Sequence, residues 1–205
     1  GLQHLDLKIS DRSLAALPLY HSAQMHVITM PTLLLGGYTC LVDTPTPTLL
    51  LDLLKQNKLN SFFAPPTVWI SLLRHEQFIE SELQHLEKLY YGASIMPEPI
   101  VKELAERLPR SGLYNLYGQS EIAPLATVLS PAEHRERPAS CGRPVINVET
   151  RIINPVTGAE CAVGEQGELV HRSPQLMIGY WNKPEETAEA FSNGWFHSGD
   201  LGIRD

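Results

Sequence analysis

Cysteine is scarce in this chain of 205 residues. The three present, Cys40, Cys141 and Cys161, are odd in number and lack close pairing, which excludes a disulfide framework or a zinc knuckle and fits a reducing cytoplasm. Basic excess is missing too. Sixteen Lys and Arg stand against 23 Asp and Glu, a formal net charge of −7, and the basic residues are scattered, so nucleic acid is not an expected partner. Long apolar runs are absent: the greasiest stretch, Val27 to Val42, is interrupted by Pro31, Gly36 and Gly37 before it could span a bilayer. No basic-then-apolar leader opens the chain. A soluble, cytoplasmic protein without a transmembrane segment is expected, with peripheral contact at a membrane left open. The histidines show no His-x-x-x-His spacing, and no Gly-Lys-Ser/Thr phosphate loop occurs.

What is present is enough apolar material, 43% of residues against 19% charged, for one large or two small cores. From Leu14 to about Leu129, short apolar runs alternate with helix-period segments, the pattern of βα units on a mostly parallel sheet with flanking helices. Strands are expected at Leu14–Leu19, Thr39–Val42, Ser61–Ala64, Leu86–Tyr91 and Gly112–Tyr117, each brief and apolar because both faces are covered. Pro47 opens a helix with Leu49, Leu50, Leu53 and Leu54 on one face; Pro97 opens another with Ile100, Leu104 and Leu108. On the latter, Glu98 with Lys102 and Glu103 with Arg107 stand at i,i+4 and read as ordinary surface pairs. Past about Ser130 the texture turns to β: Val148–Ile153 alternates, Asn154 to Gly158 is a turn, and Gly167–His171 is strand-like. Two units are expected, 1–130 and 131–205, joined through an exposed connection between Pro131 and Pro138.

Two stretches carry chemistry. Tyr117-Gly118-Gln119-Ser120-Glu121 ends a strand, where open α/β sheets bind ligands. Gly194-Trp195-Phe196-His197-Ser198-Gly199-Asp200 is a second turn, flanked by aromatics and closed by a carboxylate. Each has a plain reading: Tyr117 as a core ring, Glu121 as a first-turn helix residue favoured by the dipole, Asp200 as a turn aspartate. Gly118-Gln119-Ser120-Glu121 also imitates a hydrolase nucleophile elbow, but Ile122 stands where that motif wants its second glycine. The two stretches together, in this order and spacing, resemble the adenylate-forming (AMP-binding) enzymes, above all acyl-CoA synthetases of the fatty-acid–CoA ligase kind; peptide-synthetase adenylation domains and luciferases share the superfamily.

That resemblance implies roles. Tyr117 would stack on adenine, Ser120 contact the α-phosphate, Glu121 bind Mg²⁺ and Asp200 accept hydrogen bonds from both ribose hydroxyls. Ser120 and Glu121 are the candidate catalytic residues. Tyr91-Gly92-Ala93-Ser94-Ile95-Met96-Pro97 resembles the adenine-side loop, so Gly92, Ala93 and Ser94 would line the nucleotide, and Gly92 and Gly118 would border the acid. Within Pro18-Leu19-Tyr20-His21, His21 would stand beside the acyl group. The segment Ser22 to Met30 contains no acid, which disfavours an amino-acid substrate needing a carboxylate for its ammonium and favours an apolar, fatty acid. Gly167-Glu168-Leu169 and Gly179-Tyr180-Trp181 extend the likeness as structural support.

The implied reaction uses ATP, Mg²⁺ and coenzyme A: acid plus ATP to acyl-adenylate and pyrophosphate, then thioester formation. A carrier-protein acceptor, as in peptide synthetases, and a non-catalytic nucleotide-binding module remain alternatives. The resemblance implies a β-rich, distorted-barrel-like second unit. It also implies a phosphate loop before residue 1 and a lysine-bearing domain beyond Asp205. The chain is then expected to be an internal fragment, inactive alone, whose uncovered apolar face promotes self-association.

Overall fold

The computed structural model describes residues 3–205. Seven strands form one sheet in the order β2-β1-β3-β4-β5-β6-β7. They are β1 (Arg12–Ala15), β2 (Tyr38–Leu41), β3 (Ser61–Phe63), β4 (Lys88–Gly92), β5 (Gly112–Gly118), β6 (Leu125–Leu129) and β7 (Arg143–Pro144). The first five run parallel, β6 pairs antiparallel with β5, and β7 pairs antiparallel with β6. A second, antiparallel sheet has the order β10-β9-β8, with β8 at Glu149–Ile153, β9 at Gln166–Arg172 and β10 at Phe196–Ile203. The change of sheet thus falls between Pro144 and Glu149.

All five expected parallel strands are present, with shifted ends. The first runs Arg12–Ala15 rather than Leu14–Leu19, because Pro18 has no N–H to give to a ladder. The strand expected from Leu86 starts at Lys88 and runs on to Gly92. Strand β6 was not anticipated. It follows Pro124 directly, and its five consecutive buried residues pair back on β5.

After the short α1 (Met30–Leu34), helices α2 (Pro47–Gln56), α3 (Pro66–Leu73) and α4 (Glu98–Arg107) cover the sheet. Thr46 caps α2, its side chain accepting from Leu49 N–H at 3.3 Å, and Pro47 takes the first-turn place where no N–H is needed. The buried face of α2 is Leu50, Leu51 and Leu54, rotated from the expected stripe, so that Leu49 is exposed. On α4, Val101, Leu104 and the following Leu108 are buried, while Ile100 is only partly covered. Of the two expected ion pairs there, Glu103–Arg107 forms at 3.4 Å. Lys102 faces Glu106 at 4.0 Å instead of Glu98. The segment after β6 is exposed at Ala132 and from Arg135 to Arg137, as expected of a connection, but it opens on a short helix and buries His134. Ser130 and Glu133 make a reciprocal cap on α5 (Pro131–His134), and His134 is buried with Nε2 2.8 Å from the Tyr91 hydroxyl.

Alternation along the strands splits the core into two layers. Phe62, Leu89 and Tyr91 face the α2–α4 side with Trp69 and Leu104, while Phe63, Tyr90, Tyr114 and Val128 face the other with Ile28 and Ile122. The aromatic polar atoms inside are matched, Trp69 Nε1 donating to the Tyr90 carbonyl at 3.1 Å and the Tyr90 hydroxyl to the Leu5 carbonyl at 2.6 Å, whereas the Ser13 and Ser61 hydroxyls have no partner among the described residues. Lys88 is buried yet paired. Its Nζ lies 2.8 and 2.7 Å from the two oxygens of Asp11 and also donates to the Asp6 carbonyl, while Asp11 accepts from Lys8 N–H at 2.9 Å.

In the second sheet, His171 on β9 is fully buried opposite Thr150 on β8, with Nδ1 3.0 Å from the threonine hydroxyl and no partner for Nε2 among the described residues. Burial pushes its pKa down to about 4, against a small opposing pull from Asp200.

Removing one partner of a buried ion pair strands the other charge. Asp11→Ala should therefore cost about 3–5 kcal/mol in urea unfolding. His171 is neutral when folded and takes up a proton more readily when unfolded. Its contribution is therefore complete above the unfolded pKa of 6.5 and is lost as pH falls toward 4. Between pH 7 and pH 4, the protein should lose about 3 kcal/mol more unfolding free energy than His171→Leu does, measured by denaturant midpoints.

Candidate functional site

Strands β4 and β5 end side by side, pairing Gly92 with Leu116, and their following loops form one edge of the sheet. Both ends are crowded. A Cβ on Gly92 would stand 2.3 Å from the Leu116 carbonyl oxygen, and one on Gly118 would stand 1.8 Å from the Pro124 carbonyl oxygen. Only glycine lets the chain turn from β5 into β6 this tightly. The turn itself is a short helical bend, Ser120–Ile122, closed by Ala123 in the left-handed region at φ 58°. Ala93, after Gly92, is likewise left-handed at φ 66°, which leaves Ala93, Ser94 and Ile95 exposed at the sheet edge.

The two motifs meet. The Tyr117 hydroxyl donates to Asp200 Oδ2 at 2.8 Å. Gln119 Nε2 reaches the same oxygen at 3.3 Å and the Ser198 carbonyl at 3.1 Å. Burial raises the Tyr117 phenol well above its ordinary range, and the neighbouring Asp200 carboxylate adds to the shift, so the phenol stays a donor. Asp200 lies at a break in the β9–β10 register between His197 and Leu201. Glu168 holds that bulge from the opposite strand: Oε1 accepts Gly199 N–H at 3.0 Å and Oε2 lies 2.9 Å from His197 Nδ1. Ser198 finishes the turn, donating to the Leu169 carbonyl at 2.6 Å and accepting Asp200 N–H at 3.0 Å. Asp200 is exposed, and its second oxygen has no partner among the described residues.

A cavity of about 230 Å³ opens beside Tyr117. Val27, Phe63, Leu116, Pro124 and Leu125 make it apolar, and Ser22, Gln119 and Ser120 give it a polar rim. The Ser22 and Ser120 hydroxyls are 3.1 Å apart. His21 also lines it, exposed, with Nδ1 accepting Ala23 N–H at 3.3 Å. Of the expected site residues, His21, Ala93, Tyr117, Gly118 and Ser120 therefore share one cavity, and Asp200 is bonded to its wall. Gly92 and Ser94 flank it without lining it, and neither does Glu121.

Glu121 accepts from the Tyr180 hydroxyl at 2.9 Å through Oε1, and its carbonyl accepts Met177 N–H at 2.8 Å. Among the described residues no three His, Cys, Asp or Glu side chains gather into a metal cage. A lone carboxylate with one oxygen unengaged nevertheless suits Mg²⁺, which takes most of its ligands from phosphate and water.

Sequence reasoning gave no role to Gln119 or Phe63 and read Glu168 and Tyr180 only as structural support. Gln119, Glu168 and Tyr180 sit inside recognised motifs, but nothing in their spacing says what they touch. Phe63 is one of several strand apolars, and no local signal marks it as a cavity wall.

The model of the AMP-binding enzyme family matches residues 2–181. Over its whole length the chain is 35% identical to the feruloyl-CoA synthase of an Amycolatopsis species, covering 41% of that protein. It is 34% identical to the medium/long-chain-fatty-acid–CoA ligase FadD8 of Mycobacterium tuberculosis, over 95% of this chain and 34% of that one. Among solved structures, a putative long-chain-fatty-acid CoA ligase from Rhodopseudomonas palustris superposes with a TM-score of 0.89 at 25% identity, over 100% of this chain and 49% of that one. The chain spans about two fifths of the length of the curated feruloyl-CoA synthase. With a mostly parallel sheet carrying the first motif, the second motif bonded to it from the antiparallel sheet, and a family match over most of its residues, the chain belongs to the AMP-binding enzyme family.

Proposed function

We propose that this chain carries the adenine, ribose and acid sites of an enzyme that activates a carboxylic acid with ATP and transfers it to coenzyme A. The observation that carries the reading is the Tyr117–Asp200 hydrogen bond beside an apolar cavity with a hydroxyl rim. Tyr117 offers a ring to the base. Asp200, exposed and held by Glu168 through the bulge, presents an acceptor-only group to the ribose diol. An acid whose apolar part fills the cavity leaves its carboxylate near Ser120 and Gln119.

In the first step a carboxylate oxygen attacks the α-phosphorus, forming the acyl-adenylate and displacing pyrophosphate. In the second the thiolate of coenzyme A takes the acyl carbon and AMP leaves. Ser120 and the Gly118–Glu121 backbone position the attack, and holding the reactants in line is a large part of what such a site contributes. Bound Mg²⁺ would neutralise phosphate charge, with Glu121 holding it.

The acid we favour is fatty, because the cavity wall is apolar and the Ser22 to Met30 segment brings no carboxylate to meet an ammonium. The relatives' names include both feruloyl and medium/long-chain fatty acyl substrates.

Asp200→Ala in the intact protein should weaken ATP binding by about 1.5–3 kcal/mol, and 2′,3′-dideoxy-ATP should bind the unmutated protein about as poorly as ATP binds the variant. Equal binding of ATP and the dideoxy analogue by the unmutated protein would remove Asp200 from the ribose. In acid-dependent pyrophosphate exchange, affinity should rise by about 0.8 kcal/mol per methylene until the cavity fills. Preference for amino acids would overturn the apolar pocket, and preference for aryl-propenoic acids would overturn the fatty one.

A further inference from the structure

We propose that Tyr180 is a positioning residue for Glu121, fixing the carboxylate so that its second oxygen is presented to the metal. The inference rests on the reading of Glu121 as the carboxylate that meets Mg²⁺.

Glu121 is only partly buried, and a glutamate side chain with three rotatable bonds samples many directions unless something holds it. The holding group arrives from far along the chain. Tyr180, 59 residues later, donates its hydroxyl to Oε1 at 2.9 Å, and Oε2 has no partner among the described residues. A surface hydrogen bond between two mobile groups contributes little, so the question is whether Tyr180 is itself fixed.

It is fixed from both sides. Toward the site, Gln175 Nε2 donates to the carbonyls of Ile122 and Leu125 at 2.7 and 3.0 Å, and Met177 N–H donates to the Glu121 carbonyl at 2.8 Å. Segment 175–177 is therefore bonded to the backbone of the turn that carries Glu121. Toward α6 (Pro184–Ala190), Tyr180 N–H donates to Thr187 Oγ1 at 2.9 Å, and that hydroxyl donates to the Lys183 carbonyl at 2.7 Å. Gly179 packs so closely on Thr187 that a Cβ there would stand 2.7 Å from the threonine methyl. The backbone that carries the exposed Tyr180 ring is thus anchored to the turn on one side and to a helix on the other. Partners that orient a metal-binding carboxylate in this way set metal affinity without touching the ion.

The test is calorimetric binding of Mg·ATP, and of ATP with the metal chelated, to the intact protein and to Tyr180→Phe, Glu121→Gln and the double variant. Tyr180→Phe keeps the ring and the backbone bond to Thr187 and removes only the hydroxyl. Mg·ATP affinity should fall about tenfold while metal-free ATP affinity and the melting temperature stay put, and Tyr180→Phe should add nothing in the Glu121→Gln background. If Glu121→Gln weakens Mg·ATP binding but Tyr180→Phe binds within twofold of the unmutated protein, the positioning role is overturned and the reading of Glu121 stands. If Tyr180→Phe weakens both forms of ATP alike, the tyrosine is structural and the proposal fails. If Glu121→Gln changes neither, the reading of Glu121 fails and this inference with it.

Discussion

The backbone of Pro124 passes so close to Gly118 that a side chain there would overlap its carbonyl oxygen, and the site hangs from that contact. The approach lets β5 double back into β6 through a single helical bend, which throws Tyr117, Gln119, Ser120 and Glu121 in different directions from five consecutive positions. Tyr117 and Gln119 go to the second sheet, Ser120 to Ser22, and Glu121 to Tyr180. A wider turn would separate these groups. Equivalent crowding at Gly92 lets β4 end at the same level, so that both loops open on one edge.

Carboxylates in this fold do different work according to what surrounds them. Asp11 is buried against Lys88 and binds the amino-terminal segment to the sheet, where its charge is matched and unavailable. Glu168 spends both oxygens on shaping the β9–β10 bulge. Asp200 and Glu121 are different, since each has one oxygen engaged by a tyrosine hydroxyl and the other left to accept. Half-satisfied carboxylates of this kind are oriented yet open enough to be reached, which is what the proposed ribose and metal roles require.

The parallel architecture was legible in advance because strands covered on both faces must be short and apolar, and Ser61–Phe63 and Gly112–Gly118 stand where such runs occur. Pro47 and Pro97 likewise marked helix starts for a local steric reason. Strand β6 was hidden, because Leu125–Leu129 becomes a strand only by pairing back on β5 after a turn whose residues read as a functional loop. The burial of His134 is illegible for a related reason: a charged local sequence says nothing about the Tyr91 hydroxyl that it meets.

Local chemistry, then, is what the sequence by itself determined: βα alternation, the two motifs and the acid-free Ser22 to Met30 segment. Those follow from neighbours a few positions apart. Only the tertiary structure decided that Tyr117 bonds Asp200 across 83 residues, that Glu168 props the bulge from the facing strand, and that Tyr180 takes one oxygen of Glu121. Each of these depends on how two sheets and a helix settle against one another. Chain separation carries no trace of such contacts, because they are set by packing and register.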